Sequence, residues 1–202
     1  MIAQLAEATR RDVSRETLEK LEAYVALLRA EAARQNLISA STLERIWERH
    51  ILDSAQLVRW EPRAGASWAD IGSGAGLPGV VIACLVEGPL TLIEPRRLRA
   101  EFLHKVVEAL RIDATIFDGK AERAEGKFDV ITARAVARLG ETFRISQHLS
   151  TIKTVWALPK GRSADAELAE ARRAWQGVFH VEQSVTDVDS RIVVATGVRA
   201  KA

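Results

Sequence analysis

One stretch constrains the fold of this chain more than any other: Asp70-Ile-Gly-Ser-Gly-Ala-Gly-Leu-Pro-Gly79. It begins at the end of a short apolar run, Ser67–Ile71, and leads into a second, Pro78–Leu85. The second run reads as a helix with proline near its first turn. Glycines at 72, 74 and 76 let the backbone turn tightly and approach a ligand closely. The helix N-terminus behind them offers free N–H groups. A glycine-rich turn alone is weak evidence, and its position on a strand–helix junction is what points to a ligand.

Around this loop, apolar runs alternate with longer amphipathic segments. Strands are expected at Ser67–Ile71, Leu90–Ile93, Ala114–Phe117, Asp129–Ala133 and Thr154–Leu158. Helices are expected at Pro78–Leu85, Arg97–Leu110, Leu139–Leu149 and Ala164–Trp175. Phe179–Val185 and Arg191–Thr196 read as two strands joined by a short polar turn. Such alternation implies an α/β fold: a mostly parallel seven-stranded sheet, helices on both faces and a terminal antiparallel hairpin strand. Residues 1–60 read as helical, with Leu18, Leu21, Val25 and Leu28 at helical spacing and Ser14 as a helix cap. The expected organisation is an N-terminal helical extension (1–60) packed on one compact domain (61–202).

Composition narrows the classes. A chain of 202 residues, 48% hydrophobic and 28% charged, can form an ordinary globular core. The single cysteine, Cys84, excludes an intramolecular disulfide and metal sites built from several cysteines. The longest uncharged apolar stretch, Ala75–Val86, is too short to span a bilayer. The first residues lack a signal-peptide core, so a cytoplasmic protein is expected, acting as a monomer without metal, membrane or DNA partners. The formal net charge of +2 argues little by itself. By position it is uneven: residues 131–162 hold six bases and one acid, against near balance elsewhere. That predicts a local basic mouth.

The ligand class follows from spacing, with alternatives open. Gly74-Ala-Gly-Leu-Pro-Gly79 matches the G-x-G-x-x-G pattern, so spacing alone leaves a dinucleotide open. Read from the strand end, Asp70-x-Gly72-x-Gly74-x-Gly76 resembles the S-adenosylmethionine loop of class I methyltransferases. Glu94 ends the second strand, 22 residues after Gly72, where an acid can accept hydrogen bonds from ribose hydroxyls. Ala121 and Glu122, after the third strand, could frame an adenine ring.

Missing residues restrict the acceptor. Methylation at pyrimidine C5 needs a cysteine nucleophile, and Cys84 sits inside an apolar helix. No Asn-Pro-Pro-Tyr or Asp-Pro-Pro-Tyr follows the fourth strand, and Tyr24, the only tyrosine, is not part of a Y-x-x-x-K pattern. An atom that is already nucleophilic fits better, such as guanine N7, which carries a lone pair and no proton. Arg134, after the fourth strand, could hold guanine O6 or the donor's carboxylate, and Arg138 lies on the same segment. Lys160 and Arg191 could face phosphates. His50, Asp53 and Ser54 share about one helical face, and His50 reads as either a structural hydrogen-bonder or a site residue.

Five segments then occur in order: Asn36-Leu-Ile-Ser39, Arg49-His-Ile-Leu-Asp-Ser54, the glycine loop, Ala133-Arg-Ala135 and Leu158-Pro-Lys-Gly161. Together they resemble the RsmG (GidB) family of small-subunit rRNA guanine-N7 methyltransferases, from about residue 30 to 197. The resemblance implies a Rossmann-like class I methyltransferase fold. It implies methyl transfer from S-adenosylmethionine to N7 of guanine 527, in the 530 loop of 16S rRNA, as naked RNA or in the small-subunit particle. Donor contacts would come from Asp70, Gly72, Gly74, Leu77, Glu94, Ala121, Glu122 and Arg134. Arg134, His50 and Asn36 would act at the reacting centre, and Arg138, Lys160 and Arg191 on the RNA. Ala133 stands where the family usually has serine, which removes a hydroxyl.

Overall fold

The centre of the fold is built on two short, fully covered strands. β1 (Trp68–Ile71) is buried at all four positions, as is β4 (Val130–Ala133). Strands covered on both faces read as unbroken apolar runs, and this is why both were legible. The remaining strands are β2 (Leu90–Ile93), β3 (Ala114–Phe117), β5 (Val155–Pro159), β6 (Trp175–Gln183) and β7 (Arg191–Ala200). They form one sheet in the order β3-β2-β1-β4-β5-β7-β6. β1 to β5 are parallel, and β7 runs antiparallel to both β5 and β6. The computed structural model describes residues 1–32 and 34–201.

Three helices open the chain: α1 (Ile2–Thr9), α2 (Arg15–Ala32) and α3 (Ala40–Leu43). Ser14 caps α2, its hydroxyl accepting from the Thr17 N–H at 3.0 Å. A π-helical turn (Trp47–Leu52) then passes through α4 (Asp53–Ala55) into a 3-10 turn (Gln56–Trp60). The crossover helices are α5 (Gly79–Ala83), α6 (Arg97–Leu110), α7 (Leu139–Ser146) and α8 (Ala164–Ala171). None of the described helices is long and apolar enough to cross a membrane.

Successive residues of β1 point to opposite faces of the sheet, and each face has its own core. Trp68 packs with Leu5, Leu21, Tyr24, Leu28, Ile51, Val80 and Leu103. The N-terminal helices therefore share one apolar layer with α5 and α6. Ala69 and Ile71 pack on the other side with Phe143, Trp156, Leu158 and Trp175. There the Phe143 ring stands edge-on to Trp156, centroids 5.0 Å apart.

Several boundaries differ from expectation, most of them near the C-terminus. The helix expected to reach Trp175 stops at Ala171, and Trp175 opens β6, which was expected only from Phe179. β6 is the sheet edge, and Gly177 with the exposed Val178 interrupts its alternation between Trp175 and Phe179. The Trp175 ring packs 5.5 Å from Phe143 and anchors the strand inward. β7 continues past Thr196 to Ala200 because a register shift at Gln176–Val178 keeps the two strands paired.

β1 and β4 are neighbours although β2 and β3 intervene in sequence. The chain reverses its direction of growth there, and the carboxyl ends of the two strands open a crevice, the usual ligand position of such sheets. The glycine loop follows β1 and the segment Arg134–Arg138 follows β4, both on that edge.

Candidate active site

The glycine loop is held from below, from the side and from above. Below, the Asp70 carboxylate is fully buried: Oδ2 accepts from the Gly79 N–H at 3.1 Å and Oδ1 from the Thr132 hydroxyl at 3.0 Å. Burial pushes the Asp70 pKa up to about 6 against these hydrogen bonds. Asp70 was expected to touch the donor. It lies beneath the loop and braces both its ends instead, because a side chain on that face of β1 points into the core.

From the side, Glu94 is also buried. Its Oε2 accepts from the Gly74 N–H and its Oε1 from the Arg96 N–H, both at 2.8 Å. A carboxylate has about four lone-pair sites, so both oxygens keep acceptor capacity. Above the loop, Val136 sits against Gly72, and a Cβ added at Gly72 would lie 2.6 Å from Val136 Cγ2. Gly72 also has φ +65°, in the left-handed region. Gly76 (φ +94°) is tight as well, since a Cβ there would meet Val80 at 2.6 Å and the Tyr24 hydroxyl at 3.1 Å.

A cavity of about 140 Å³ opens over this loop, lined by Gly72, Gly74, Leu77, Arg99, Arg134, Leu37 and Ile38. It brings together the expected Gly72, Gly74, Leu77 and Arg134. Ala121 and Glu122 lie in a short 3-10 turn after β3, beside the β2 end that carries Glu94, and outside this cavity.

A second cavity, about 290 Å³, opens between the ends of β4, β5 and β7. Arg134, Lys160 and Arg191 line it with Asp53, Ser184 and Ser190. The Arg134 guanidinium is held on its N-terminal side, with Nη2 3.2 Å from His50 Nδ1 and Nη1 3.4 Å from Asp53 Oδ2. A guanidinium can only donate, so Nδ1 accepts and the ring proton sits on Nε2. That buried Nε2 has no hydrogen-bond partner among the described residues. Burial, then the positive charges of Arg134 and Arg49, push the His50 pKa down to about 4. His50 is therefore neutral at physiological pH.

Lys160 reaches across to the β4–α7 connection, donating to the Ala137 carbonyl at 2.6 Å, and lies 3.3 Å from Glu167. Burial lowers its pKa against the pull of Glu167. Arg191 donates to the Val188 and Ser190 carbonyls.

Two expected residues are elsewhere. Asn36 is exposed and lines a neighbouring groove with Arg29, Arg34 and Leu43, because the chain enters the cavity over the glycine loop with the apolar Leu37 and Ile38 instead. Arg138 is exposed at the start of α7 and pairs with Glu170 at 2.6 Å. The expected basic mouth is also corrected. Arg134 faces Asp53, Arg138 faces Glu170, Lys160 faces Glu167 and Arg162 faces Asp189. All four acids come from outside residues 131–162, so charge summed along the chain could not reveal them.

The family model for rRNA small subunit methyltransferase G (GidB) matches residues 17–193. The chain belongs to this family. Ribosomal RNA small subunit methyltransferase G of Zymomonas mobilis is 48% identical over 198 residues, covering 94% of this chain and 90% of that protein. The protein of the same name from Erythrobacter litoralis is 48% identical over 187 residues, covering 91% and 90%. Among solved structures, a SAM dependent methyltransferase from Aquifex aeolicus superposes with a TM-score of 0.60 at 12% identity, covering 79% of this chain and 99% of that one. At that identity the likeness concerns the Rossmann-like fold.

Three contributors are not among the expected site residues. The Tyr24 hydroxyl donates to the Ala75 carbonyl at 2.8 Å and ties α2 to the glycine loop. Arg99, on α6, lines the cavity over that loop. Asp53 faces Arg134. The apolar spacing of α2 marked Leu21, Val25 and Leu28, but a tyrosine among them signals only core. Asp53 had a signal, since it shares a helical face with His50.

Proposed function

We propose that the chain transfers the methyl group of S-adenosylmethionine to N7 of a guanine in 16S rRNA of the small ribosomal subunit, at nucleotide 527 of the 530 loop. One observation carries the reading: Arg134 and Ala135 line both cavities, so the donor cavity and the acceptor cavity meet at the end of β4. We read residues 1–60 as the extension that closes one side of both cavities and 61–202 as the transfer domain, acting in the cytoplasm as a monomer.

The residues fit an adenosyl donor. Glu94 has acceptor capacity left for ribose hydroxyls, and Gly72 and Gly74 form a cradle that a side chain would fill. The cavity is smaller than the roughly 300–1,000 Å³ of common ligand sites. Glu94, Ala121 and Glu122, on the adjoining strand ends, would hold the part of the donor that this cavity does not. When bound, S-adenosylmethionine supplies a methyl group on a positively charged sulfur that leaves as a neutral thioether.

The chain's own work is alignment. Guanine N7 has no proton to lose, so no general base is required, and a neutral, buried His50 agrees with that. Arg134 keeps N–H donors beyond those aimed at His50 and Asp53, and these can hold guanine O6 beside N7. Lys160 fixes the β4–α7 connection that carries Arg134, and Arg191 borders the entrance. Well-oriented partners reach effective molarities of about 10⁵–10⁸ M, so positioning can supply much of the rate.

Calorimetric titration with S-adenosylmethionine tests the donor half. Binding by the wild type and none by Gly72→Asp supports it, and equal binding by both contradicts it.

A further inference from the structure

Asp53 stands between Arg134 and the turn that joins β6 to β7. Its Oδ2 faces Arg134 at 3.4 Å. Its Oδ1 accepts from Thr186 Oγ1 at 2.9 Å, Gln56 Nε2 at 3.0 Å and Ser184 Oγ at 3.3 Å. Gln56, itself buried, closes the network: its Oε1 accepts from the Val185 N–H at 3.0 Å. Arg49 pins the next residue, its Nη1 lying 2.5 Å from Asp187 Oδ2. Ser184 and Thr186 directly, Val185 through Gln56, and the reacting-centre arginine thus converge on one carboxylate. The two ends of the turn, Ser184 and Ser190–Arg191, line the acceptor cavity.

We propose that Asp53 is a positioning residue that couples the β6–β7 turn to Arg134, so that RNA seated against the turn and Arg191 sets the aim of the guanidinium. The proposal rests on Arg134 serving methyl transfer to a guanine. Both carboxylate oxygens are engaged on opposite sides, so a shift of the turn moves the carboxylate and with it the partner of Nη1. His50 holds Nη2 at a second point, which leaves Asp53 to choose the rotation about it. A neutral amide in place of Asp53 has a donor on one side. It either turns that donor toward the guanidinium or gives up an acceptor toward the turn.

The test separates coupling from folding. Thr186→Val removes one hydroxyl from the turn side, keeps the shape, and touches neither Arg134 nor the donor cavity. Its effect is read in the ¹⁵Nε and ¹⁵Nη signals of Arg134, identified by their absence in Arg134→Lys, and in methyl transfer to small-subunit rRNA. The proposal expects the Arg134 signals of Thr186→Val to shift and broaden. It expects kcat to fall by about tenfold in Asp53→Asn, the size of one hydrogen bond to a charged group, with KM for RNA and affinity for S-adenosylhomocysteine nearly unchanged. Unmoved Arg134 signals would overturn it. So would equal losses of kcat, donor affinity and melting temperature, which denote a merely structural role. Should the wild type methylate no rRNA, the proposed function fails, while the Arg134 signals still decide whether turn and guanidinium are coupled.

Discussion

Arg134 Nη2 lies 3.2 Å from His50 Nδ1, a contact that exists only while His50 is neutral. Its lowered pKa, about 4, has consequences for both stability and rate.

For stability, the neutral folded form means that the unfolded chain binds the proton first, near the ordinary 6.5. Stability from His50 is complete above about pH 6.5 and is lost as pH falls toward 4. Asp70 acts in the opposite direction. Its pKa is raised from 3.8 to about 6, so its contribution is complete at low pH and is lost as pH rises from about 4 to 6. Each group contributes a slope of up to about 1.4 kcal/mol per pH unit, of opposite sign. Relative to wild type, Asp70→Asn should gain stability more steeply with rising pH between 4 and 6, and His50→Asn less steeply. Urea unfolding at pH 4.5, 5.5 and 6.5 measures both, and parallel curves for all three proteins would contradict the assignment. For the rate, kcat should be nearly flat between pH 6.5 and 8.5, and a sharp bell in that range would indicate a general base.

The contact between Gly72 and Val136 predicts a double-mutant effect. Gly72→Ala places a methyl 2.6 Å from Val136 and forces a left-handed backbone, which costs about 1–2 kcal/mol for the backbone alone. Val136→Ala in the same chain should recover the steric part and leave the backbone part. Thermal unfolding of the two single variants and the double variant checks this; strict additivity would mean that the two residues do not meet.

Tyr24 is buried and its hydroxyl is the contact between α2 and Ala75. Tyr24→Phe leaves the Ala75 carbonyl without that donor, at a cost of about 1–3 kcal/mol. Donor affinity should fall along with stability, since the carbonyl belongs to the cradle. A melting temperature and donor affinity both equal to wild type would show that the bond holds nothing.

Arg138 is exposed and paired with Glu170 on α8. Such surface pairs contribute about 0–1 kcal/mol, and Arg138 lines neither cavity. Arg138→Ala should change methyl transfer less than about twofold on that scale, whereas Arg191→Ala should raise KM for RNA. Equal losses in steady-state assays of the two variants would return Arg138 to the RNA path.

β1 and β4 were legible because they are covered on both faces, and the loop after β1 because it carries glycines that few other structures require. β2, β3 and α6 fall on the expected residues, where apolar periodicity is undiluted. The start of β6 was hidden because Gly177 and the exposed Val178, at the register shift, interrupt the alternation that Phe179 to Glu182 keep. The site was legible as far as one element can announce a residue. Gly72, Leu77 and Arg134 meet as expected, while Asn36 is displaced by Leu37 and Ile38. Asp53 and the turn at 184–187 were not, because their meeting spans more than 130 residues of sequence. The apparent basic mouth failed for the same reason: its neutralising acids are near only in space.

The most direct test is a mass-spectrometric map of small-subunit rRNA from cells lacking the methyltransferase, after reaction with the purified chain and S-adenosylmethionine. Wild type should place one methyl group at N7 of guanine 527, and Arg134→Ala none, while that variant keeps a normal melting temperature. Methylation at another atom or nucleotide, or undiminished methylation by Arg134→Ala, would contradict the account.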